Sequence, residues 1–171
     1  MSRRWANIAA AGVVALGATA MTAMPAAAAA SAARGGTEHF TFVTAGADPA
    51  NSPGPIIATG AFNAVGTDYQ GDAVDRIVFP HGTFKLDHSQ PGGTIKFSFN
   101  PITCIETFQG NNLPFTITDG TGAFTGISGN GTSNITIVAV RGRNRDGSCA
   151  VTGTDTGYAL AKATAIVSFD G

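Results

Sequence analysis

From residue 37 onward, short runs of alternating apolar and polar residues recur at intervals of about ten residues, separated by Gly, Pro, Asn and Asp. Alternation with a period of two places the apolar side chains on one face of a β-strand. A helical repeat of apolar positions is almost absent from this part of the chain. The pattern therefore predicts an all-β protein.

Eight or nine strands account for this pattern. They are predicted around Phe40 and Phe42 and then at 56–67, 75–79, 83–88, 94–100, 104–109, 115–118, 133–140 and 156–169. Pro80-His81-Gly82 is typical of a tight turn, so the strands on either side of it are expected to form a hairpin.

In two of the predicted strands, the side chains divide into two distinct faces. In 94–100, apolar residues occupy one side and polar residues the other, and the polar side is expected to meet water. The apolar residues are Ile95, Phe97 and Phe99. In 156–169, small side chains recur on one side, as a tapered or ligand-lined interior requires. These are Ala159, Ala161, Ala163 and Ala165.

The first 33 residues are predicted to be an export signal. Arg3 and Arg4 precede an apolar run and a tract of small residues with several Ala-x-Ala cleavage sites. Cleavage is expected between residues 28 and 33, and the protein is predicted to be secreted. The other 138 residues (171 less 33), 34–171, suit one domain. No run reaches the roughly 20 apolar residues of a spanning helix, so no membrane span is expected in the mature form.

Charge argues against a nucleic-acid partner. Without the two arginines of the predicted signal, eight Lys and Arg face eleven Asp and Glu, a net charge of −3. The one small basic cluster, Arg141, Arg143 and Arg145, lies among turn-forming residues and is expected to be a solvated loop.

The chain contains two cysteines, Cys104 and Cys149. Exported proteins fold in oxidising surroundings, so these cysteines are expected to form a disulfide. Closing this loop would stabilise the fold by about 4 kcal/mol through the unfolded state. Neither sulfur could then act as a nucleophile.

A sheet without helices to cover it must protect its edges. Closure into a barrel removes the edges, and a two-sheet sandwich is the alternative. Periodicity does not distinguish the two.

The segment 120–132 is the most informative part of the chain, because its glycines favour a sharply bent β segment over a helix. These are Gly120, Gly122, Gly126, Gly129 and Gly131. The segment resembles the glycine-threonine-glycine-aromatic signature of the allene oxide cyclase and dirigent proteins, small β-barrels of plants and actinobacteria. The segment 71–80 and the strand order extend the resemblance over most of the mature chain, and the cysteine pair is similar to that of exported bacterial relatives.

The resemblance implies a single closed antiparallel β-barrel of about eight strands. Related barrels often associate through their outer faces, so a homo-oligomer is one expected state. The resemblance carries no catalytic residue onto a numbered position of this chain, because the matching motif is structural.

Residues capable of chemistry are few. The weak catalytic candidates are Glu106, Asp75, Arg76 and His88. Glu106 could donate a proton if its side chain points inward with Phe108, since loss of water raises the pKa of a carboxyl group. If it points outward, it is simply solvated. Asp75 and Arg76 are neighbours on a strand, so one of the two must face outward.

No metal or cofactor is expected, because the histidines and carboxylates lack the spacing of a zinc site. The weak ligand-binding candidates are aromatic: Phe97, Phe99, Phe108 and Tyr158. As core residues, the phenylalanines would need no function at all.

Three functions follow from a barrel of about eight strands, which can be filled by side chains or hold one small ligand. The first is binding of a small apolar molecule. The second, implied by the resemblance, is a cofactor-independent cyclase or isomerase acting on a hydrophobic substrate. The third is an inert exported module with a packed interior. A cavity with a buried carboxylate or histidine favours the enzyme, an apolar cavity favours binding, and the lack of a cavity favours the inert module.

Overall fold

The computed structural model describes residues 35–170, and the predicted export signal lies outside them. Nine strands form the regular structure: β1 (Gly35–Gly46), β2 (Gly54–Gly60), β3 (Ala64–Tyr69), β4 (Val74–Phe79), β5 (Gly82–Asp87), β6 (Thr94–Asn100), β7 (Ile105–Thr118), β8 (Ile127–Val140) and β9 (Thr156–Phe169). A single 3₁₀ turn, Gly122–Phe124, precedes β8. No helix among the described residues is long and apolar enough to cross a membrane.

The sheet closes on itself. Its strand order is β5-β4-β3-β2-β1-β9-β8-β7-β6, and β5 also pairs with β7, with Leu86 opposite Ile117. All of these pairings are antiparallel. The prediction of a closed barrel of about eight strands is confirmed, and the sandwich is excluded. The ninth strand, β6, lies outside the barrel against β7.

Strand length makes the barrel taller on one side. β1, β7, β8 and β9 have 12 or 14 residues, whereas β2 to β5 have six or seven. The long strands extend beyond the open end of the barrel, which we call the mouth, and β6 pairs with the extended part of β7. We call β6 together with 105–110 of β7 and 135–140 of β8 the wall.

Six phenylalanine rings fill the opposite, closed end. Their neighbouring centroids lie 5.0 to 6.3 Å apart, and most pairs meet edge to face. Such pairs contribute about 0.5–1.5 kcal/mol each beyond the area they bury. The rings belong to Phe40, Phe62, Phe79, Phe84, Phe124 and Phe169, and we call them the phenylalanine plug.

Glu38 is fully buried at this closed end. Its Oε2 accepts a hydrogen bond of 2.9 Å from the backbone N–H of Phe62. Burial raises the pKa of Glu38, and hydrogen bonds from backbone N–H groups oppose that rise. The side chain thus anchors the turn between β2 and β3 to β1.

The glycine-rich segment differs from its predicted form. Its first part is a loop with the 3₁₀ turn rather than a bent strand, and only Gly129 and Gly131 lie within β8. Gly122 has φ of +61°, and a Cβ there would lie 2.3 Å from the carbonyl oxygen of His81. This close approach lets the loop cross the end of the barrel and insert Phe124 into the plug.

Two predictions of where one strand ends and the next begins were wrong. The strand predicted at 56–67 is two strands, because the chain reverses after Gly60, which has φ of +135°. The two strands predicted at 104–109 and 115–118 are one, β7, which continues through an irregularity between Gly110 and Leu113. Asn112, with φ of +53°, lies in this irregularity, so the turn-like residues form a bulge instead of a loop.

The apolar side of β6 is more exposed than its alternation indicates. Thr94, Lys96 and Ser98 meet water as expected, but Ile95, Phe97 and Phe99 are also 63%, 62% and 40% exposed. Alternation correctly indicates that they share a face. That face lies above the mouth, where no second layer covers it among the described residues.

The predicted disulfide between Cys104 and Cys149 is confirmed, with Cα atoms 5.4 Å apart. It joins the turn after β6 to the loop before β9. Arg143 and Arg145 of that loop are exposed, as predicted, whereas Arg141 is half-buried. Arg141 pairs with Glu106, and Arg143 donates to the backbone carbonyls of Ile102 and Gly147.

Candidate functional site

A cavity of about 480 Å³ lies between the phenylalanine plug and the mouth. Its walls are mainly apolar, with side chains from β1, β2, β7, β8 and β9: Phe40, Phe42, Ile56, Leu113, Phe115, Ile135, Ala161 and Ala163. The prediction that the alanines of the last strand face the interior is confirmed. Their small side chains leave the space that larger residues would fill.

The cavity lining has six polar side chains. Gln90 and Ser133 are two of them, and the other four lie on or directly after β3, β4 and β5: Asp68, Gln70, Asp75 and His88. Strand alternation brings them together. Asp68 shares the inner face of β3 with Ala64 and Gly66, and Asp75 shares that of β4 with Ile77. His88 follows β5, and its backbone N–H donates to the carbonyl of Ala73 over 2.9 Å. We call these four residues the polar corner.

Asp75 and His88 form a pair within the polar corner. His88 Nε2 lies 3.2 Å from Asp75 Oδ1, which also accepts a 3.0 Å hydrogen bond from the backbone N–H of Gly71. The hydrogen bond to Asp75 raises the pKa of His88, and burial opposes that rise. The contact therefore favours the protonated, positively charged form of His88 beside the Asp75 carboxylate.

Asp68 has a different environment. It is 5% exposed, and its Oδ1 has no hydrogen-bond partner among the described residues. Burial raises the pKa of Asp68 to about 7, and the Asp75 charge adds to this effect while His88 opposes it. Near neutral pH this carboxyl group therefore exchanges readily between its acid and base forms.

Three buried side-chain oxygens lack a partner in the described part of the chain: Asp68 Oδ1 and Gln70 Oε1 at the polar corner, and Glu38 Oε1 at the closed end. Leaving a buried acceptor unpaired costs about 1–3 kcal/mol. Two such oxygens beside one cavity need an explanation, because buried polar groups are normally paired. A ligand that donates hydrogen bonds would supply their partners.

The predicted catalytic candidates fall in different places. Asp75 and His88 line the cavity, while Arg76 lies on the outer face with its guanidinium 4.6 Å from the centre of the Tyr69 ring. Glu106 lies on the inner side of the wall, where its Oε2 accepts a 2.7 Å hydrogen bond from Arg141 Nε. Its carboxylate is paired and does not line the cavity.

The predicted aromatic ligand contacts lie outside the cavity lining. Phe97, Phe99 and Phe108 lie on the inner side of the wall. In the strand pairing, Phe108 is opposite Phe97 on one side and Ile137 on the other, and Phe99 is opposite Glu106. Tyr158 is 47% exposed and pairs with Val138 on the outer face. The cavity itself is lined by three other phenylalanines, Phe40, Phe42 and Phe115.

Sequence reasoning missed Asp68 and Gln70. The predicted strand ended at Thr67, one residue before the first of them. A longer strand would have placed Asp68 on the same face as Ala64 and Gly66, and a lone carboxylate on a face of small residues is a signal for an interior polar group.

Within residues 35–170, no three His, Cys, Asp or Glu side chains are arranged to hold a metal ion. Comparisons of this chain with protein-family models, curated proteins and solved structures find no match. The resemblance to allene oxide cyclase and dirigent proteins therefore stays a prediction.

Proposed function

We propose that this protein binds a small, largely apolar molecule inside its barrel, with the polar group of that molecule at the polar corner. The single observation that carries this proposal is the 480 Å³ cavity with buried, unpaired oxygens at one side. Cavities of about 300–1,000 Å³ with apolar walls and a few convergent polar groups are typical of small-molecule sites. An inert module would have a packed interior, whereas the interior of this barrel contains a cavity.

We also propose that the protein acts outside the cytoplasm. The disulfide supports an oxidising compartment, and the N-terminal sequence pattern supports export. Membership of the allene oxide cyclase and dirigent group is a proposal of the same kind, supported by the closed barrel and the glycine-rich segment.

Binding can be tested with Nile red, an uncharged dye whose fluorescence increases in apolar surroundings. We expect saturable binding at one site per chain. Ala161→Phe should weaken it at least about tenfold, because a phenyl ring at this position occupies the cavity. Ala45→Phe is the matched control, since Ala45 lies on the exposed outer face of β1. Equal binding by both variants, or no saturable binding to the parent, would contradict the proposal.

A second candidate function is a cofactor-independent isomerase or cyclase. The observation in its favour is Asp68, whose pKa of about 7 suits a group that both donates and accepts protons at neutral pH. The Asp75–His88 pair lies in the same cavity and could hold a second proton. Confinement between apolar walls would supply the orientation of the substrate.

This second function is tested by separating turnover from binding. For any epoxide or enone converted by the parent, Asp68→Asn should lower kcat by about 10²-fold or more, as loss of a general acid or base does. Nile red binding by this variant should stay near the parental level. Conversion at the parental rate would remove Asp68 from the mechanism and leave the binding proposal intact.

A further inference from the structure

Two acceptor oxygens of the polar corner have no hydrogen-bond partner in the described part of the chain. Asp68 Oδ1 and Gln70 Oε1 lack partners, and the Asp75 carboxylate already holds His88 and the N–H of Gly71. The His88 ring nitrogen nearest the carboxylate is occupied by that contact. A ligand that donates hydrogen bonds would therefore give these two oxygens their partners.

The charge of the cavity points in the same direction. Among the described residues, the titratable side chains that line it are Asp68 on β3, Asp75 on β4 and His88 after β5, and none of the lining residues is Lys or Arg. A protonated His88 offsets the charge of the Asp75 carboxylate it contacts, so ionisation of Asp68 adds a negative charge that no other lining residue balances. A low-dielectric cavity strengthens the attraction of this charge for a cation.

Resting on the proposed binding function, we propose that the ligand is an apolar molecule with a protonated amine as its head group, and that the ammonium is held by Asp68 and Gln70. An ammonium group carries up to three N–H donors and a positive charge, so it can satisfy both unpaired oxygens. A buried carboxylate paired with such a donor is better stabilised than one left alone.

Other head groups fit less well. A carboxylate head group would bring a second negative charge next to Asp68, and no Lys or Arg lines the cavity to offset it. Two neighbouring negative charges repel each other. A hydroxyl donates one hydrogen bond and can satisfy one of the two oxygens. The expected order of affinity is therefore amine, then alcohol, then carboxylate.

Binding of an amine should also release a proton. An alkylamine stays protonated far above neutral pH, as Lys does. Its charge next to Asp68 favours the carboxylate and lowers the pKa of Asp68 below its unliganded value of about 7. At pH 6 Asp68 is mostly protonated before binding, so association should release close to one proton. At pH 8 almost none should be released.

The test uses three compounds with the same phenyl tail: phenethylamine, phenethyl alcohol and hydrocinnamate. Titration calorimetry of the intact disulfide-bonded protein gives the affinities. Repetition in buffers with different heats of ionisation gives the number of protons released. We expect the amine to bind at least about tenfold more tightly than the alcohol at pH 7. We expect proton release with the amine at pH 6 and none with the alcohol.

Asp68→Asn should remove the preference for the amine and abolish the proton release. Asp72→Asn is the matched control, because it removes the same charge from an exposed residue outside the cavity lining and should preserve both effects. The ligand series on the parent protein decides the proposal even if Asp68→Asn fails to fold.

The outcomes separate the two proposals. If the alcohol or hydrocinnamate binds as tightly as the amine, the head-group proposal is overturned and the binding function stands. Binding of the amine without proton release at pH 6 would also overturn it. If none of the three compounds binds and Nile red binds no better, both proposals fail.

Discussion

Asp68 is the residue at which the interior of this barrel departs most from an ordinary core. Its carboxyl group is buried, its Oδ1 lacks a hydrogen-bond partner within residues 35–170, and its pKa is about 7, against an ordinary value of 3.8. Natural cores place such groups where a function compensates for their cost. The same residue therefore links the chemistry of the cavity to the stability of the fold.

At the residue scale, Asp68 makes stability depend on pH. Below about pH 4 the folded and unfolded states both hold its proton. Between about pH 4 and 7 the unfolded state loses the proton first, so the free energy of unfolding falls as pH rises. Above about pH 7 the free energy of unfolding no longer changes through this group. The total loss has an upper limit of about 4 kcal/mol, and contact of the carboxylate with water at the mouth makes it smaller.

Replacement of this residue should remove that dependence. Relative to the parent, Asp68→Asn is expected to gain stability between pH 5 and pH 8, as measured by urea unfolding at both values. Asp72→Asn serves as the control and should follow the parent. Parallel pH profiles for Asp68→Asn and the parent would show that the carboxyl group ionises as freely in the folded protein as in the unfolded chain.

At the element scale, β5 and β6 differ in environment although both alternate apolar and polar residues. β5 is part of the barrel, and its Phe84 is fully buried in the phenylalanine plug. β6 pairs with β7 alone among the described strands and has every residue exposed. The contribution of an aromatic residue to stability therefore depends on the location of its strand.

Substitution of one ring in each strand tests this difference. Phe84→Ala should lower the free energy of unfolding by about 3–5 kcal/mol, because it removes a fully buried ring and leaves a void. Phe97→Ser, at a position of β6 that is 62% exposed, should change the free energy of unfolding by about 0.5 kcal/mol or less. Urea unfolding with a common m-value measures both. A large loss for Phe97→Ser would mean that the wall is covered in solution.

At the scale of the whole molecule, several links join segments that are distant in sequence. The pairing of β5 with β7 closes the barrel, and the disulfide joins loops 45 residues apart in sequence at the far end of the wall. Neither cysteine lines the cavity. The disulfide should therefore affect global stability far more than ligand binding.

A variant with Cys104→Ser and Cys149→Ser tests this division. The chain-entropy model predicts a loss of about 4 kcal/mol in the free energy of unfolding. Urea unfolding measures that loss, and Nile red titration of the same variant under native conditions should give the parental affinity. A weaker affinity in a fully folded variant would instead indicate that the disulfide shapes the cavity.

The strand content was largely predictable, because alternation depends on each residue and its near neighbours. The last strand has the bounds that alternation predicted, 156–169. The errors occurred where glycine or asparagine allows two backbone outcomes. The residues after Gly60 form a reversal where a continuous strand was predicted, and those around Asn112 form a bulge where a break was predicted.

The candidate site was predictable only in part. Asp75 and His88 were named as candidates from their chemistry, but their contact depends on the pairing of β4 with β5. Asp68 reaches the same cavity through the pairing of β3 with β4. Glu106 was equally plausible by composition, and a hydrogen bond from Arg141, 35 residues away, gives it a partner outside the cavity.

By itself, the sequence determined the all-β class, most of the strands and the cysteine pair, since these follow from local periodicity and from the count of cysteines. Only the tertiary structure decided that β5 meets β7, that the phenylalanines divide between plug, cavity and wall, and that three ionisable groups share one corner. These features depend on contacts between distant segments, and local periodicity carries no information about which distant segments meet.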